Sequence, residues 1–302
     1  MAEPITDASR SSSSSARTGV VLALSAAALG AAFLVPYKAA GELAPQPLIV
    51  LAMLACAAVL NSATALGQLR GTMRVDRVNV GVACALAGCT VVGNISVLRA
   101  LATLEPAVAS VVTHTQVFFV VVFAWIWLAE TPSPRFALGA ALALGGFGVM
   151  RLTGVGSATV TTDGVMWALL AATMWAAMQV ITRRYAVRMQ IVFVNAFRLW
   201  LAVGVLLVLP GTGAAVFDIG GRAWLYAAAA AFVGPFLARV CLMYAVRHIT
   251  ASHSTLVGLV GPVFAFGFGF AAFGTMPAPL EICGGILIVA GVAIPIRELS
   301  GA

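Results

Sequence analysis

Residues 19–35 read GVVLALSAAALGAAFLV, and residues 164–180, 145 positions further along the chain, read GVMWALLAATMWAAMQV. The same offset places the PSP of residues 132–134 on the PAP of residues 277–279, and a glycine follows each motif at the same distance. Self-similarity at one fixed spacing indicates an internal duplication. Both copies are apolar, so the pattern predicts a duplicated membrane protein, a frequent architecture of secondary transporters.

The composition supports a location in the bilayer, because 62% of the residues are hydrophobic, only 9% are charged, and the mean hydropathy is +1.04. A soluble domain carries about 25% charged residues. The sequence contains about ten apolar runs that are near the length of a membrane span, roughly 20 residues. The runs are 19–37, 47–67, 78–98, 106–129, 134–150, 163–182, 191–210, 222–246, 251–274 and 280–296. Runs of this length exclude barrel strands and predict an all-α membrane protein.

Five spans in each half have a geometric consequence. An odd number of crossings makes the second copy begin on the opposite side of the membrane, so the two five-helix repeats are inverted. The sequence therefore predicts a first repeat over residues 19–150, a linker over 151–163 and a second repeat over 164–297.

Short tails over residues 1–18 and 298–302 flank the repeats. The first tail, MAEPITDASRSSSSSART, is rich in serine and is predicted to be disordered. It could also be the n-region of a secretory signal. That interpretation would remove the first span, which the repeat pairs with the sixth.

The distribution of Lys and Arg predicts the orientation. With the N-terminus inside, the cytoplasmic segments hold 11 of these residues and the opposite side holds four. Cytoplasmic loops are enriched in Lys and Arg, so both termini are expected in the cytoplasm and the protein in the cell inner membrane. The net charge of +7 thus belongs to loops and does not predict a nucleic-acid partner. The expected partners are membrane lipid and a small-molecule substrate, and a homodimer is compatible with the sequence.

No residue pattern predicts a cofactor or a metal site. The five cysteines lie in apolar runs without a Cys-x-x-Cys pair, which is typical of buried thiols. The three histidines lack the spacing of metal ligands, and the four aspartates fall at or outside the span ends. An integral-membrane enzyme acting on a lipid phosphate would need an acidic cluster for Mg²⁺. That function and a sensor or scaffold without transport are the alternatives to a transporter.

Short motifs recur in both halves. The first half carries Ala100-Leu101, Pro106-Ala107-Val108-Ala109-Ser110, Val117-Phe118, Leu128-Ala129-Glu130 before Pro132, Gly139 and Gly145-Gly146. The second half carries Tyr244-Ala245, Thr250-Ala251-Ser252, Gly261-Pro262-Val263-Phe264, Gly284-Gly285 and Gly291. On these motifs the chain resembles the EamA-type domain of the drug/metabolite transporter superfamily, present twice and covering nearly the whole sequence. The resemblance implies two five-helix units around a central cavity, cytoplasmic termini, and transport of small metabolites, with export as the expected direction.

Two positions depart from that family pattern. Leu128-Ala129-Glu130 stands where the family has Leu-Gly-Glu, and Phe273-Gly274-Thr275 replaces the acid in the second half. Val117 occupies the position that Pro262 has in the second repeat, so one proline of the pattern is missing.

Arg239 is the leading candidate for substrate binding. It follows Gly234-Pro235, which should kink the eighth span and free backbone carbonyls, and Pro235 is therefore a gating candidate. The repeat offset places Asn94 at the equivalent position of the third span. Polar groups at equivalent positions of an inverted repeat are typical of a midplane site. The alternative is that Arg239 snorkels to the cytoplasmic interface.

Other polar side chains within the spans are weaker candidates. Trp175 and Gln179 share one helix face and either hold a substrate or pack between helices. His114 and Gln116 lie in the fourth span, and His253 begins the ninth. His114 and His253 are candidates for proton coupling, since imidazole titrates near physiological pH, although packed neutral histidines are common.

Glycines and a proline make the ninth span a candidate gate. Gly261 and Pro262 interrupt an otherwise apolar helix, and Pro262 removes one backbone hydrogen bond. Small residues of this kind also allow close helix packing. Arg198, about two turns inside the seventh span, either snorkels to the interface or faces inward, and the family resemblance places that span outside the cavity.

Taken together, these features predict an alternating-access carrier of a small metabolite that is anionic or zwitterionic, such as an organic acid or an amino acid. Arginine on the cytoplasmic side, with no acidic partner inside the membrane, favours such a substrate.

Overall fold

The computed structural model describes residues 5–68, 76–104, 106–151, 161–208, 213–273 and 278–301. All regular structure in these residues is helical. The first half contains α1 (Ile5–Ala32), α2 (Leu34–Gly41), α3 (Gln46–Gln68), α4 (Arg77–Leu101), α5 (Pro106–His114), α6 (Gln116–Leu128) and α7 (Pro134–Arg151). The second half contains α8 (Thr162–Tyr185), α9 (Ile191–Leu207), a 3₁₀ turn (Ala214–Asp218), α10 (Gly221–Ala231), a π-helix (Phe232–Ala238), α11 (Arg239–His248), α12 (Ala251–Gly258), α13 (Gly261–Phe273) and α14 (Pro279–Gly301).

The predicted spans are present as apolar helices. Eight helical segments of the described chain are at least 18 residues long and apolar enough to cross a membrane. Two shorter apolar helices, Pro134–Met150 and Ile191–Leu207, correspond to the predicted fifth and seventh spans. The all-α fold with about ten spans is therefore confirmed.

The N-terminal tail differs from its prediction. Helix α1 begins at Ile5, so most of the segment predicted as a disordered tail is helical, and residues 1–4 lie outside the described part. A helix that is already nucleated by a membrane span extends into adjoining residues at low cost, even through serines. The predicted linker lies largely outside the described residues, at 152–160.

Polar caps mark where several helices begin. The Thr161 hydroxyl accepts the N–H of Gly164 at the start of α8, and the Thr250 hydroxyl accepts that of His253 at the start of α12. Ser133 accepts the N–H of Phe136 in the first turn of α7. Such caps satisfy backbone donors that a helix terminus leaves unpaired.

Two spans are broken at equivalent places. The fourth span divides at Thr115 into α5 and α6, and the ninth divides at Leu259–Val260 into α12 and α13. The 145-residue offset places Thr115 on Val260, so the two breaks lie at equivalent positions of the two repeats. The break in the first half occurs although Val117 replaces the proline, so the interruption does not depend on proline alone. Discontinuous helices near the midplane are typical of transporter binding sites.

The two halves are packed against each other. Helix α7 packs on α14, α3 on α9, α4 on α8, and α1 on α11. Each contact joins an element of one half to an element of the other, and α7–α14 and α3–α9 each pair a helix with its own repeat equivalent. This arrangement places the broken helices and α1, α8 and the π-helix around a common centre.

Candidate functional site: a central cavity

A cavity of about 720 Å³ lies between the two halves. Its wall comes from α1, α3, α5, α8, the π-helix, α11, α12 and α13, and from Phe33 between α1 and α2. Six of the residues singled out from the sequence line it: His114, Trp175, Pro235, Arg239, Gly261 and Pro262. A cavity of this size suits a metabolite- or drug-sized ligand.

Arg239 is the one charged side chain among the described residues that line the cavity. Its Nη2 lies 3.5 Å from the hydroxyl of Thr182, and its buried Nε has no hydrogen-bond partner. The Thr182 hydroxyl donates to the carbonyl of Met178, which leaves its oxygen to accept from the guanidinium. A guanidinium with unused donors inside a largely apolar wall can bind an anion.

The π-helix sets the position of Arg239. Pro235 lies inside this segment and has no N–H to continue an α-helix. The backbone N–H of Arg239 reaches Gly234 O, five residues back, instead of the carbonyl four residues back. The predicted irregularity at Gly234-Pro235 therefore takes the form of a π-helix, a feature that often occurs at functional sites. Gly234 also allows the ring of Phe33 to approach, since a Cβ there would lie 3.0 Å from the ring.

Two rings contribute to the wall. Trp175 lies close to Gly93 of α4, where an added Cβ would meet Trp175 Nε1 at 2.8 Å. His114, the last residue of α5, stacks on Phe147 with ring centroids 4.2 Å apart. The backbone of α4 at Gly93 thus holds the Trp175 ring, and the Phe147 ring holds the His114 ring.

Four other predicted residues lie outside the cavity wall. Asn94 donates to the carbonyl of Thr90 in its own helix, at 2.7 Å. Gln179, which is 6% exposed, donates to the Ser254 hydroxyl at 2.8 Å and so joins α8 to α12. Both amides thus have hydrogen-bond partners within the protein, as polar groups in a membrane bundle require.

Gln116 and His253 complete this group. Gln116 begins α6 directly after the break at Thr115. His253 Nδ1 lies 2.7 Å from the Thr250 hydroxyl, and its ring packs edge-on against Phe136. His253 therefore contributes to the start of α12 rather than to the cavity wall.

Arg198 does not snorkel. Its side chain is 4% exposed, and its guanidinium donates to Thr90 Oγ1 at 2.8 Å and to Asn195 Oδ1 at 2.7 Å. The interpretation in which it reaches the interface is wrong, because the guanidinium is buried and bonded to polar partners within the bundle. It does not line the cavity.

Sequence reasoning missed several wall residues: Gly30, Phe33, Met53 and Thr113. Gly30 could have been found, because the repeat offset pairs it with Trp175. The wall thus presents a ring from one half and a glycine from the other at equivalent positions. Phe33 and Met53 carried no such signal, since aromatic and methionine side chains occur throughout the spans.

Hydrogen bonds tie the helix ends together on the arginine-rich side of the bundle. Arg183 forms an ion pair with Glu130 at 3.1 Å and donates to Val246 O at 2.5 Å. Arg247 donates to Ala186 O and Met189 O, both at 2.8 Å. These bonds connect α8, α11 and the residues after α6 at the end of the bundle that contains Thr182.

Comparisons with known proteins find the same fold in solved structures. No curated protein matches the chain. A solved structure described as "Crystal structure of protein" is 19% identical, with a TM-score of 0.75 and an alignment covering 94% of this chain and 99% of the other. At that identity the likeness concerns the fold alone.

The family assignment follows from the two halves. Residues 17–152 and residues 162–296 each match the EamA-like transporter family, and these ranges agree with the two repeats found in the sequence and the structure. The chain therefore belongs to the EamA-like transporter family and is a multi-pass membrane transporter with two EamA domains.

Proposed function

We propose that the protein is an inner-membrane secondary transporter that exports a small organic anion by alternating access. The observation that carries this proposal is Arg239 in the wall of the 720 Å³ cavity, with an unpartnered buried Nε. A permanently charged fork in an apolar wall is costly unless a ligand compensates it, which makes it a functional site by default.

The wall favours an anion over a zwitterion. No acidic side chain lines the cavity among the described residues, so a substrate ammonium would find no carboxylate there. The other polar contributors are the Thr113 hydroxyl, His114 and the Trp175 indole. A carboxylate that carries an apolar or aromatic body therefore fits the wall better than an amino acid does, although amino acids remain in the test below.

Alternating access would use the breaks beside the cavity. Gly261 and Pro262 follow the end of α12 and line the cavity, so bending there would change the cavity wall directly. Pro235 in the π-helix is the second candidate hinge. Glu130 and Arg183 would separate when the arginine-rich end opens, because each lies on a different half.

The orientation follows the Lys and Arg distribution, with both termini in the cytoplasm. In that orientation the helix ends joined by Arg183 and Arg247 are cytoplasmic. His114 is the candidate for proton coupling within the wall, because its ring lines the cavity.

Flux in reconstituted liposomes tests the proposal. Purified protein is inserted into liposomes, and uptake of labelled benzoate, phenylpyruvate, succinate, phenylalanine and threonine is measured with and without a pH gradient. We expect flux of a monocarboxylate above that of the amino acids, and a dependence on the pH gradient if His114 couples protons. Flux of the amino acids alone would contradict the anion assignment, and no flux of any compound would contradict the proposed substrate class.

A further inference from the structure

Four polar side chains form a buried group beside the cavity. Asn61 of α3, Thr90 of α4, and Asn195 and Arg198 of α9 are each at most 5% exposed. None of the four lines the cavity. They join two helices of the first half to one helix of the second.

The guanidinium fixes the direction of every hydrogen bond in this group. Arg198 can only donate, so Asn195 Oδ1 accepts at 2.7 Å and Asn195 Nδ2 must donate. Nδ2 donates to Asn61 Oδ1 at 2.9 Å, and the Asn61 amide in turn donates to Ala57 O at 2.8 Å. The second Nδ2 hydrogen is directed to Pro235 O, at 3.4 Å. The last hydrogen bond of the group is therefore donated by Asn195 to the backbone of the π-helix.

Stability alone does not explain this arrangement. The partners of Arg198 are Thr90, Asn195 and the sulfur of Met178, which are all neutral, and its Nε is unpartnered. A buried charge without a compensating charge is expensive, and an apolar residue of similar volume would often be better tolerated.

The bond to Pro235 lies where the backbone needs a donor. In an α-helix, Pro235 O would accept the N–H of Arg239. That N–H is directed to Gly234 O and Phe236 O instead, so Asn195 supplies a donor from outside the helix. This side-chain donor stabilises the π-helix against reverting to an α-helix.

The consequence concerns the direction of Arg239. A π-segment contains an extra residue relative to an α-helix, so its loss would rotate the following helix by about one residue, or about 100°. Arg239 is the first residue after the segment and would turn away from the cavity. We propose that Arg198 and Asn195 are positioning residues that keep the π-helix at Pro235 and thereby direct Arg239 into the cavity.

The inference rests on the proposed function, because it gives Arg239 its importance, but it can be tested without transport. Purified full-length protein is treated with phenylglyoxal, which modifies accessible guanidiniums. Mass spectrometry then measures the adduct on the peptide that contains Arg239. The exposed Arg222 serves as the internal reference, and a thermal melt reports the fold.

Asn195→Asp is the decisive variant. The aspartate still accepts from Arg198, now as an ion pair, but it cannot donate to Pro235 O or to Asn61 Oδ1. We expect the adduct at Arg239 to fall about three- to tenfold, the change that corresponds to one ordinary hydrogen bond, with Arg222 unchanged. Ser62→Ala is the matched control, since it breaks the Trp200–Ser62 bond between the same two helices without touching the buried group.

Each outcome is decisive. An unchanged adduct at Arg239 in folded Asn195→Asp protein would overturn the proposal, and so would an equal fall in Ser62→Ala. If Asn195→Asp does not fold, the same labelling is measured on Pro235→Ala, because alanine restores a backbone N–H that an α-helix can use. Labelling of Arg239 should fall in that variant too, and an unchanged value there would equally overturn the proposal. Failure of every flux assay would leave this measurement valid, because it reports the direction of Arg239 and not transport.

Discussion

Gly139 of α7 packs against the backbone of Gly291 of α14, and Gly146 packs in the same way against Gly284. The 145-residue offset converts Gly139 into Gly284 and Gly146 into Gly291. Each contact is therefore the repeat image of the other. Surfaces that meet reciprocally in this way are related by a two-fold axis, so the crossing of α7 and α14 lies on the pseudo-two-fold axis of the inverted repeat.

This crossing makes a prediction about stability. A Cβ added at Gly146 would lie 2.6 Å from Gly284 O and 2.7 Å from Leu287 Cβ. Gly146→Ala should therefore destabilise the protein, by about 1–3 kcal/mol for an overpacked contact. The melting temperature of purified protein in detergent measures the effect.

Gly145→Ala is the control for this prediction. A Cβ at Gly145 meets nothing within 4 Å, so the variant should melt at or above the wild-type temperature. Equal melting temperatures for the two variants would mean that α7 and α14 do not approach as closely as the structure has them.

Much of this fold could be predicted from sequence, because the bilayer leaves few solutions for a long apolar run. The inverted repeat followed from an odd span count and from the paired Pro-x-Pro motifs. The helical start at Ile5 could not be predicted, since a serine run carries no strong helix signal. The break at Thr115 was also hidden, because Val117 gives no sign of the interruption that Pro262 marks in the other half.

The cavity was less predictable. Arg239 was found because a charge within a span is rare and costly, and Trp175 because it shares a helix face with the polar Gln179. Gln179 was a candidate as a polar side chain within a span, yet its amide bonds to Ser254. The sequence does not show which way a polar side chain turns within a helix bundle. The direction of Arg198 was left open between the interface and the interior for a related reason. Asn195 lies one turn away on the same helix, but Thr90 comes from a helix 108 residues earlier in the chain, which the sequence alone does not bring together with α9.

A second prediction concerns Ala129, the residue where the family has glycine. Ala129 ends α6 in the left-handed region, with φ at 53°. A residue with a Cβ is disfavoured there by about 1–2 kcal/mol. Ala129→Gly should therefore raise the melting temperature, while Ala137→Gly, on the exposed side of α7, should lower it. A lower melting temperature for Ala129→Gly would contradict the left-handed turn.

A third prediction concerns topology. Val187, in the loop after α8, is 87% exposed, and Phe217, in the 3₁₀ turn, is 73% exposed. In a cysteine-free background, Phe217→Cys should react with an impermeant maleimide in intact spheroplasts, because it lies opposite the arginine-rich loops. Val187→Cys should react only after the membrane is made permeable. Reaction of Val187→Cys from outside would contradict cytoplasmic termini.

A fourth prediction tests the break in the ninth span. Pro262 lies beside the cavity in the first turn of α13, and it has no N–H with which α12 could continue into α13. Pro262→Ala supplies that N–H, so it should favour a continuous helix, leave expression and folding near normal, and slow flux in liposomes. Pro279→Ala is the matched control, because Pro279 is the first residue of α14 and lacks a role in the cavity wall. Unchanged flux in Pro262→Ala would mean that the break serves packing alone.

The last prediction is that Arg239 contacts the substrate. A guanidinium offers a planar fork to a carboxylate, whereas a lysine keeps the charge and loses the fork. Arg239→Ala should abolish flux of a monocarboxylate, and Arg239→Lys should retain part of it. Truncating a hydrogen bond to a charged group costs about 1.5–3 kcal/mol, which is roughly ten- to a hundredfold in affinity. Flux is measured per inserted molecule, so a change in expression does not enter.

Arg222→Ala separates the loss of a local contact from the loss of a positive charge. Arg222 is exposed at the start of α10, away from the cavity wall, so its removal lowers the net charge by the same amount and should leave flux unchanged. If Arg239 only anchored α11 at the interface, lysine would replace it without loss, and alanine would lower only the amount of inserted protein. Wild-type flux per molecule in Arg239→Ala would therefore remove Arg239 from the binding site and leave His114, Thr113 and Trp175 as the polar groups of the cavity.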